Sequence, residues 1–312
     1  MLGEPFIRHE LELGLGRLRG YGLEVRFSPN ALRGRDYLSR HPEARAADLL
    51  WAFREPEVDM ILCSTGGDDT YRLLPWLFDH NELAEAVTEK IFLGFSDTTV
   101  NHLMLHKVGL STFYGQAFLP DVCEPDREML PYTRRCLEEL LETGAIRQIR
   151  PSDVWYEARR DFSQAALGTT MPAHPNGGFQ LLQGPPVFSG EILGGCLDTL
   201  YDLFDNGRYA DSVAVCQRYG LFPSLEGGRG KLLLLETSEE RPPPESGGAE
   251  GHRHFQRPVR HPGGEAHGRD LCGGVPENPS GGGGRPVPAH SLEPERGPRH
   301  PQVHHPLRGA RR

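Results

Sequence analysis

Residues 90–99 read Lys-Ile-Phe-Leu-Gly-Phe-Ser-Asp-Thr-Thr, and this stretch decides the fold. Residues 91–95 form a short apolar run bounded by turn residues, which predicts a buried strand. Apolar residues recur at helical spacing after Thr98, so Ser96 lies at a sharp strand-to-helix turn. Such a turn lifts a hydroxyl above the end of a sheet and makes Ser96 a candidate nucleophile. The position where such turns usually carry glycine is Thr98, and the turn alone favours a helix cap formed by Ser96 or Asp97.

Alternating helices and strands on either side of this stretch predict a parallel α/β sheet. The predicted helices cover residues 8–20, 43–53, 71–77 and 126–141, and the predicted strands cover 23–27, 58–63, 112–115 and 231–236. Residues 190–200 read as a strand, a glycine turn and a helix. The chain opens on a helix, whereas a doubly wound domain normally starts with its central strand. We therefore expect the natural protein to carry a strand ahead of residue 1.

Composition changes abruptly near residue 241. Residues 241–312 contain 14 Gly, 13 Pro and 8 of the 14 His, with no Ile, Met, Trp, Tyr or Thr, so this tail cannot build a core. The tail has a net charge of +4 and residues 1–240 carry −13, which argues against nucleic acid as a partner of the folded part. The six cysteines show no C-x-x-C pairing, so neither a zinc site nor a disulfide framework is indicated.

The sequence shows no signal peptide and no apolar run long enough to span a membrane, so we expect a cytoplasmic protein with no membrane partner. Four segments are predicted. They are a flavodoxin-like, doubly wound α/β domain (1–145), a connecting segment (146–190), the start of a second, smaller, β-rich α/β domain (191–240) and a disordered, non-native tail that truncates it (241–312).

A glycine pair and a carboxylate complete the candidate site. Gly66 and Gly67 follow the predicted strand 58–63, where a glycine pair lets backbone N–H groups approach a ligand closely. Their spacing matches neither the P-loop nor the dinucleotide fingerprint, so the pair taken alone favours a plain tight turn. Glu236 ends an apolar strand, at the edge where open α/β sheets place functional residues. By itself, however, this position favours an ordinary surface glutamate.

Together these segments resemble the LD-carboxypeptidase family. Residues 64–75 resemble its Gly-Gly turn, and residues 94–99 with 112–115 resemble its nucleophile segment. Residues 194–197 and 235–240 are similar to the motifs of its second domain. The Gly-Gly-Cys-Leu and Asp-Asp variants are most similar to the branch that contains the microcin-immunity peptidase. The resemblance covers about residues 3–245.

The resemblance implies a serine peptidase with a Ser-Glu-His triad on a two-domain α/β scaffold. Ser96 would be the nucleophile, Glu236 the acid that orients the histidine, and the backbone N–H groups of Asp97 and of Gly66 or Gly67 the oxyanion hole. The substrate would be a small peptide: a murein peptide cleaved between an L-centre and a terminal D-amino acid, or a peptide-nucleotide antibiotic cleaved at its amide. The resemblance implies no cofactor and no metal, and it suggests a homodimer.

The triad histidine is missing in frame. Gly251-His252 and His267-Gly268 lack the apolar strand that precedes the family's Gly-His segment. The codons of the tail can also be translated in a shifted reading frame, in which each new codon consists of the second and third nucleotides of one codon and the first nucleotide of the next. Residues 251–255 can then encode G-T-G-I-F, residues 263–272 can encode V-G-K-P-M-D-E-T-Y-A, and residues 289–301 can encode P-I-V-S-N-L-N-V-G-H-A-T-P.

We therefore hypothesise that the tail is a frameshifted reading of the family's C-terminal domain. The break would fall between about Arg241 and Glu250, and the histidine codon would be spread over those of Pro298 and Arg299. We call the 312-residue chain as printed, with no shift of reading frame, the literal chain. Because it lacks the histidine that would act as general base, we predict that the literal chain is inactive. It is also predicted to fold poorly, with uncovered apolar faces around residues 232–235.

Two other functions are compatible with the sequence. The first is a catalytically inactive binding protein that holds an anionic ligand at the Gly66-Gly67 turn and the helix after Ser96. The second takes the tail literally as an Arg/Gly/His-rich arm for nucleic acid or metal. The tail has little aromatic content beyond Phe255 and a small charge excess, which disfavours the second function.

Overall fold

The computed structural model describes residues 2–224 and 227–237 of the 312-residue chain. These residues form nine α-helices: α1 (Arg8–Gly20), α2 (Arg35–Arg40), α3 (Pro42–Arg54), α4 (Leu74–Phe78), α5 (Glu82–Ala86), α6 (Thr99–Lys107), α7 (Pro131–Thr143), α8 (Leu197–Phe204) and α9 (Ser212–Arg218). They form seven strands: β1 (Met60–Leu62), β2 (Ile91–Gly94), β3 (Phe113–Tyr114), β4 (Val154–Tyr156), β5 (Ala173–Pro175), β6 (Glu191–Cys196) and β7 (Lys231–Glu236). The predictions for the tail, its disorder and its shifted reading frame, lie outside the described residues.

The first sheet is parallel, with the strand order β1-β2-β3. Consecutive residues of the central strand β2 face opposite sides of the sheet. Phe92 packs into a core lined mainly by α3 to α6, and Leu93 packs into a second core lined by α1 and α7. Helices therefore cover both faces, which is why β2 reads as a continuous apolar run. The predicted α/β class with a parallel sheet is confirmed.

The second sheet consists of β6 and β7, which pair in parallel from Glu191–Lys231 to Cys196–Glu236. The sequence predicts that Gly194 and Gly195 form a turn after the strand, but they lie inside β6 with φ values of +118° and +144°. A Cβ on Gly194 would overlap the carbonyl of Leu234, so the close approach of β7 requires glycine here.

Strand β7 carries uncovered apolar side chains. Leu233 and Leu235 are 70% and 50% exposed, in agreement with the expectation for residues 232–235. The strand pairs with β6, and no other described residue pairs with it. Within the described part of the chain the outer edge of β7 is unpaired, and an unpaired apolar strand edge favours association with other chains.

Two predicted elements need correction. Residues 23–27 are not a strand, because no residue in the described ranges forms a ladder with them. Val25 and Phe27 do pack against the core, so their alternation reflects burial alone. The helix predicted over 126–141 is α7, which begins only at Pro131. Proline favours the first turn of a helix because its φ is fixed and its missing N–H needs no partner there.

The remaining elements differ in smaller ways. The strand predicted over 58–63 is limited to β1, and the helix predicted over 71–77 starts as a 3₁₀ turn, Thr70–Leu73, ahead of α4. The connecting segment contains the antiparallel pair β4–β5. Its domain boundaries stay predictions. Among residues 2–224 and 227–237, no helix is long and apolar enough to cross a membrane.

Candidate active site

Ser96 occupies a strained turn between β2 and α6. Its φ is +62°, in the left-handed region that costs a residue other than glycine roughly 1–3 kcal/mol. Two side chains hold this conformation. The Ser96 N–H donates to the Tyr114 hydroxyl at 3.1 Å, and the Ser96 carbonyl accepts from the Thr99 hydroxyl at 2.7 Å. Backbone strain that is held in place by its surroundings is typical of functional sites.

The Gly66-Gly67 turn is in direct contact with Ser96 and Asp97. A Cβ built on Gly66 would lie 2.6 Å from the Ser96 Oγ and 3.5 Å from the Asp97 backbone nitrogen. A Cβ on Gly67 would lie 3.1 Å from a carboxylate oxygen of Asp97. The structure thus brings Ser96 together with the three residues expected to form the oxyanion hole, Asp97, Gly66 and Gly67. Glycine is required at position 66 because any side chain would displace the Ser96 hydroxyl.

The Asp97 carboxylate fastens the glycine turn to the start of α6. It is 3% exposed and accepts hydrogen bonds from the Thr70 N–H, at 3.1 Å, and from the Thr70 hydroxyl. Burial raises the pKa of Asp97 to about 6, although the Thr70 hydrogen bonds oppose this shift. Asp69 adds to the rise, and Arg45, which is paired with Asp69 at 2.7 Å, reduces it.

The raised pKa predicts a pH-dependent contribution to stability. Because Asp97 has a pKa of about 6 in the folded protein and an ordinary value of 3.8, the folded state binds the extra proton between these values. The free energy of unfolding should therefore fall by roughly 2–3 kcal/mol between pH 4 and 7 through this group. Asp97→Asn should lack this component. Urea unfolding of both proteins at pH 4, 5, 6 and 7 measures it, and a difference between them that does not change with pH would contradict it.

Glu236 lies at the end of β7 and reaches the turn through Tyr114. Its Oε2 accepts a hydrogen bond from the Tyr114 hydroxyl at 2.8 Å, and its Oε1 has no hydrogen-bond partner among the described residues. Burial raises the pKa of Tyr114, and the neighbouring Glu236 raises it further, so the phenol keeps its proton and donates it. The same phenol oxygen accepts the Ser96 N–H, which connects Ser96 to Glu236 through one hydroxyl.

No histidine in the described ranges is hydrogen-bonded to Ser96 or Glu236. His102, on α6, has both ring nitrogens occupied: Nε2 lies 3.0 Å from the Gly94 carbonyl and Nδ1 lies 2.7 Å from the Thr112 hydroxyl. Burial lowers the pKa of His102 to about 4, so it stays neutral. It supports the end of β2 and has no free nitrogen to act as a general base. The histidines at 252 and 267 lie outside the described residues.

Two residues of the site escape sequence reasoning. Tyr114 belongs to a segment that the sequence connects with the nucleophile, but nothing in that segment assigns a role to its hydroxyl. Thr99 reads as an ordinary residue of the first helical turn. Its hydroxyl in fact donates to Ser96 and accepts the N–H of Cys196 at 2.9 Å. The nearby sequence predicts neither the hydrogen bond from Tyr114 to Glu236 nor the one from Cys196 to Thr99, because each joins residues about a hundred positions apart.

Comparison with known proteins gives consistent matches. Residues 3–115 match the sequence profile of the LD-carboxypeptidase N-terminal domain. A crystal structure of an MccF-like protein from Streptococcus pneumoniae in complex with AMP is 60% identical, with a TM-score of 0.77, over 78% of this chain and 71% of that one.

Matches to curated relatives are more distant. A probable murein peptide carboxypeptidase of Bacillus subtilis (strain 168) is 31% identical over 75% of this chain and 59% of its own length. The microcin C7 self-immunity protein MccF of Escherichia coli is 35% identical over 28% of this chain and 25% of its own. The chain thus spans between 25% and 59% of the length of such relatives.

Proposed function

This chain belongs to the LD-carboxypeptidase family, in the branch of MccF-like proteins, and from that premise we propose a serine-type peptidase with Ser96 as its nucleophile. The observation that carries the proposal is the left-handed Ser96 with the Gly66 backbone against its hydroxyl. A helix cap needs neither feature. An attacking hydroxyl needs both, because it must stand clear of the sheet and have N–H donors beside it.

In the proposed reaction the Ser96 Oγ attacks the carbonyl carbon of the scissile amide. The developing oxyanion is stabilised by the backbone N–H of Asp97 and by one N–H of the Gly66-Gly67 turn. The Ser96 N–H is not available for this role, because it donates to Tyr114. Glu236 orients the histidine that accepts the serine proton and later passes it to the leaving amine. Its Oε1, which no residue in the described ranges hydrogen-bonds, would be the oxygen that accepts from that histidine.

We propose an amide next to an L-centre as the bond that is cleaved, in a murein peptide or in a peptide-nucleotide. The 60% identical MccF-like protein of Streptococcus pneumoniae in complex with AMP supports the peptide-nucleotide. The B. subtilis relative, by its name, supports the murein peptide. The reaction would take place in the cytoplasm. A homodimer stays a prediction.

We further propose that the literal chain lacks this activity and that the shifted frame restores it. A frame-restored chain is made by deleting one base between the codons of Arg241 and Glu250, so that the downstream codons are read in the shifted frame. This change leaves all the described residues intact and adds a Gly-His segment.

The test incubates both chains with a murein tetrapeptide and with a peptide-nucleotide, and follows the released amino acid or nucleotide by mass spectrometry. Hydrolysis by the frame-restored chain alone is the expected result. Hydrolysis by the literal chain, abolished by Ser96→Ala, would refute the requirement for the shifted frame. Binding of either compound by both chains without hydrolysis would instead support the non-catalytic, anion-binding function.

A further inference from the structure

Both backbone polar groups of Ser96 are held by side-chain hydroxyls, and each hydroxyl is also bonded to the second sheet. The Thr99 hydroxyl donates to the Ser96 carbonyl and accepts the N–H of Cys196, at the end of β6. The Tyr114 hydroxyl accepts the Ser96 N–H and donates to Glu236, at the end of β7. Cys196 and Glu236 are paired across the second sheet, so both connections run to the same end of that sheet.

Of the two hydroxyls, that of Tyr114 touches two proposed members of the triad at once. A phenol has one proton to donate and lone pairs that accept, so this hydroxyl can donate to Glu236 at 2.8 Å and accept the Ser96 N–H at 3.1 Å, with the Thr99 hydroxyl as a further hydrogen-bonding neighbour. The ring itself is fixed by His102, whose ring centre lies 5.3 Å away, and by Gly195, where a Cβ would lie 2.8 Å from the Tyr114 Cε2. The hydroxyl therefore has little freedom to move.

We propose that Tyr114 is a positioning residue that sets the Ser96 backbone and the Glu236 carboxylate through a single hydroxyl group. This inference rests on the proposed roles of Ser96 as nucleophile and Glu236 as triad acid. Tyr114 keeps the Ser96 N–H turned away from the oxyanion hole and fixes Glu236 Oε2, and within residues 2–224 and 227–237 nothing is hydrogen-bonded to Oε1, the oxygen that would face the histidine.

The first test measures amide hydrogen exchange, residue by residue, in the 312-residue chain. Tyr114→Phe keeps the ring and removes the hydroxyl, so exchange at the Ser96 amide should accelerate at least about tenfold. The matched control is Tyr21→Phe, which removes another tyrosine–carboxylate hydrogen bond, to Glu138 at 3.0 Å. It should leave the Ser96 amide unchanged.

A second variant, Glu236→Leu, tests the same hydrogen bond from its other partner if Tyr114→Phe does not fold. Glu236→Leu removes the acceptor of the Tyr114 hydroxyl and should also accelerate Ser96 exchange, by about threefold. Unchanged Ser96 exchange in whichever of these variants folds would overturn the inference.

The second test measures kinetics in the frame-restored chain. Tyr114→Phe should lower kcat about 10- to 30-fold and leave KM within about twofold, because positioning of the triad affects the transition state and not ground-state binding. Equal kcat values in Tyr114→Phe and its parent would refute the inference while the proposed peptidase stands. If the frame-restored parent is inactive, the proposed function fails and the exchange data alone decide the role of Tyr114.

Discussion

Replacing Ser96 with alanine in the frame-restored chain is expected to lower kcat by roughly 10⁴- to 10⁶-fold, which is the range seen when a triad nucleophile is removed. The reason is geometric as well as chemical. Ser96 is the residue whose hydroxyl lies against the Gly66 backbone, so no neighbouring hydroxyl can take its place. Substrate binding should persist, because the donors of the oxyanion hole are backbone groups that the substitution leaves in place.

Ser96→Gly provides the matched control for the strained backbone. Both substitutions remove the nucleophile, but only glycine adopts a φ of +62° without strain. Ser96→Gly should therefore be more stable than Ser96→Ala by roughly 1 kcal/mol in urea unfolding, while both are equally inactive. If Ser96→Ala retained more than about a hundredth of the parental kcat, Ser96 would be a helix cap and another residue would be the nucleophile.

The sequence predicts the elements whose signal is local. Strand β2 is a continuous apolar run because both of its faces are buried. Strand β7 can be read from Lys231 to Glu236 because four successive leucines have the composition of a strand, although Leu233 and Leu235 are exposed. The alternation of apolar and polar residues over 23–27 wrongly predicts a strand. Such alternation indicates which side chains are buried, but it does not indicate whether a neighbouring strand is available for pairing. A strand needs that partner, and partners are set by the fold as a whole.

In the candidate site, too, the sequence predicts the residues with a local signal and does not predict the contacts between distant residues. Ser96 and the Gly66-Gly67 pair are visible because turns demand particular residues at particular positions. The hydrogen bond between Tyr114 and Glu236 joins residues 122 positions apart, and the one between Thr99 and Cys196 joins residues 97 apart. No spacing rule relates such positions. They become neighbours only because the second sheet lies against the start of α6.

Gly66→Ala is expected to lower kcat/KM about 10²- to 10³-fold in the frame-restored chain, with a much smaller effect on folding. The φ of Gly66 lies outside the left-handed region, so the backbone itself accepts alanine. The new methyl group would lie 2.6 Å from the Ser96 Oγ and 2.8 Å from its Cβ, closer than non-bonded atoms can approach. Either the serine or the glycine turn must move, and each movement separates the nucleophile from its N–H donors.

Gly16→Ala is the control for the substitution itself. Gly16 is an exposed residue of α1, and a Cβ there meets nothing within 4 Å. Alanine at this position should stabilise the protein by about 0.5–1 kcal/mol through helix propensity and leave kcat/KM unchanged. The added methyl group meets Ser96 at position 66 and nothing within 4 Å at position 16, so thermal unfolding and kinetics of both variants separate steric damage at the site from a general effect of Gly→Ala. Full activity in Gly66→Ala would mean that the glycine turn is only a tight turn, and that the oxyanion donors come from the start of α6 alone.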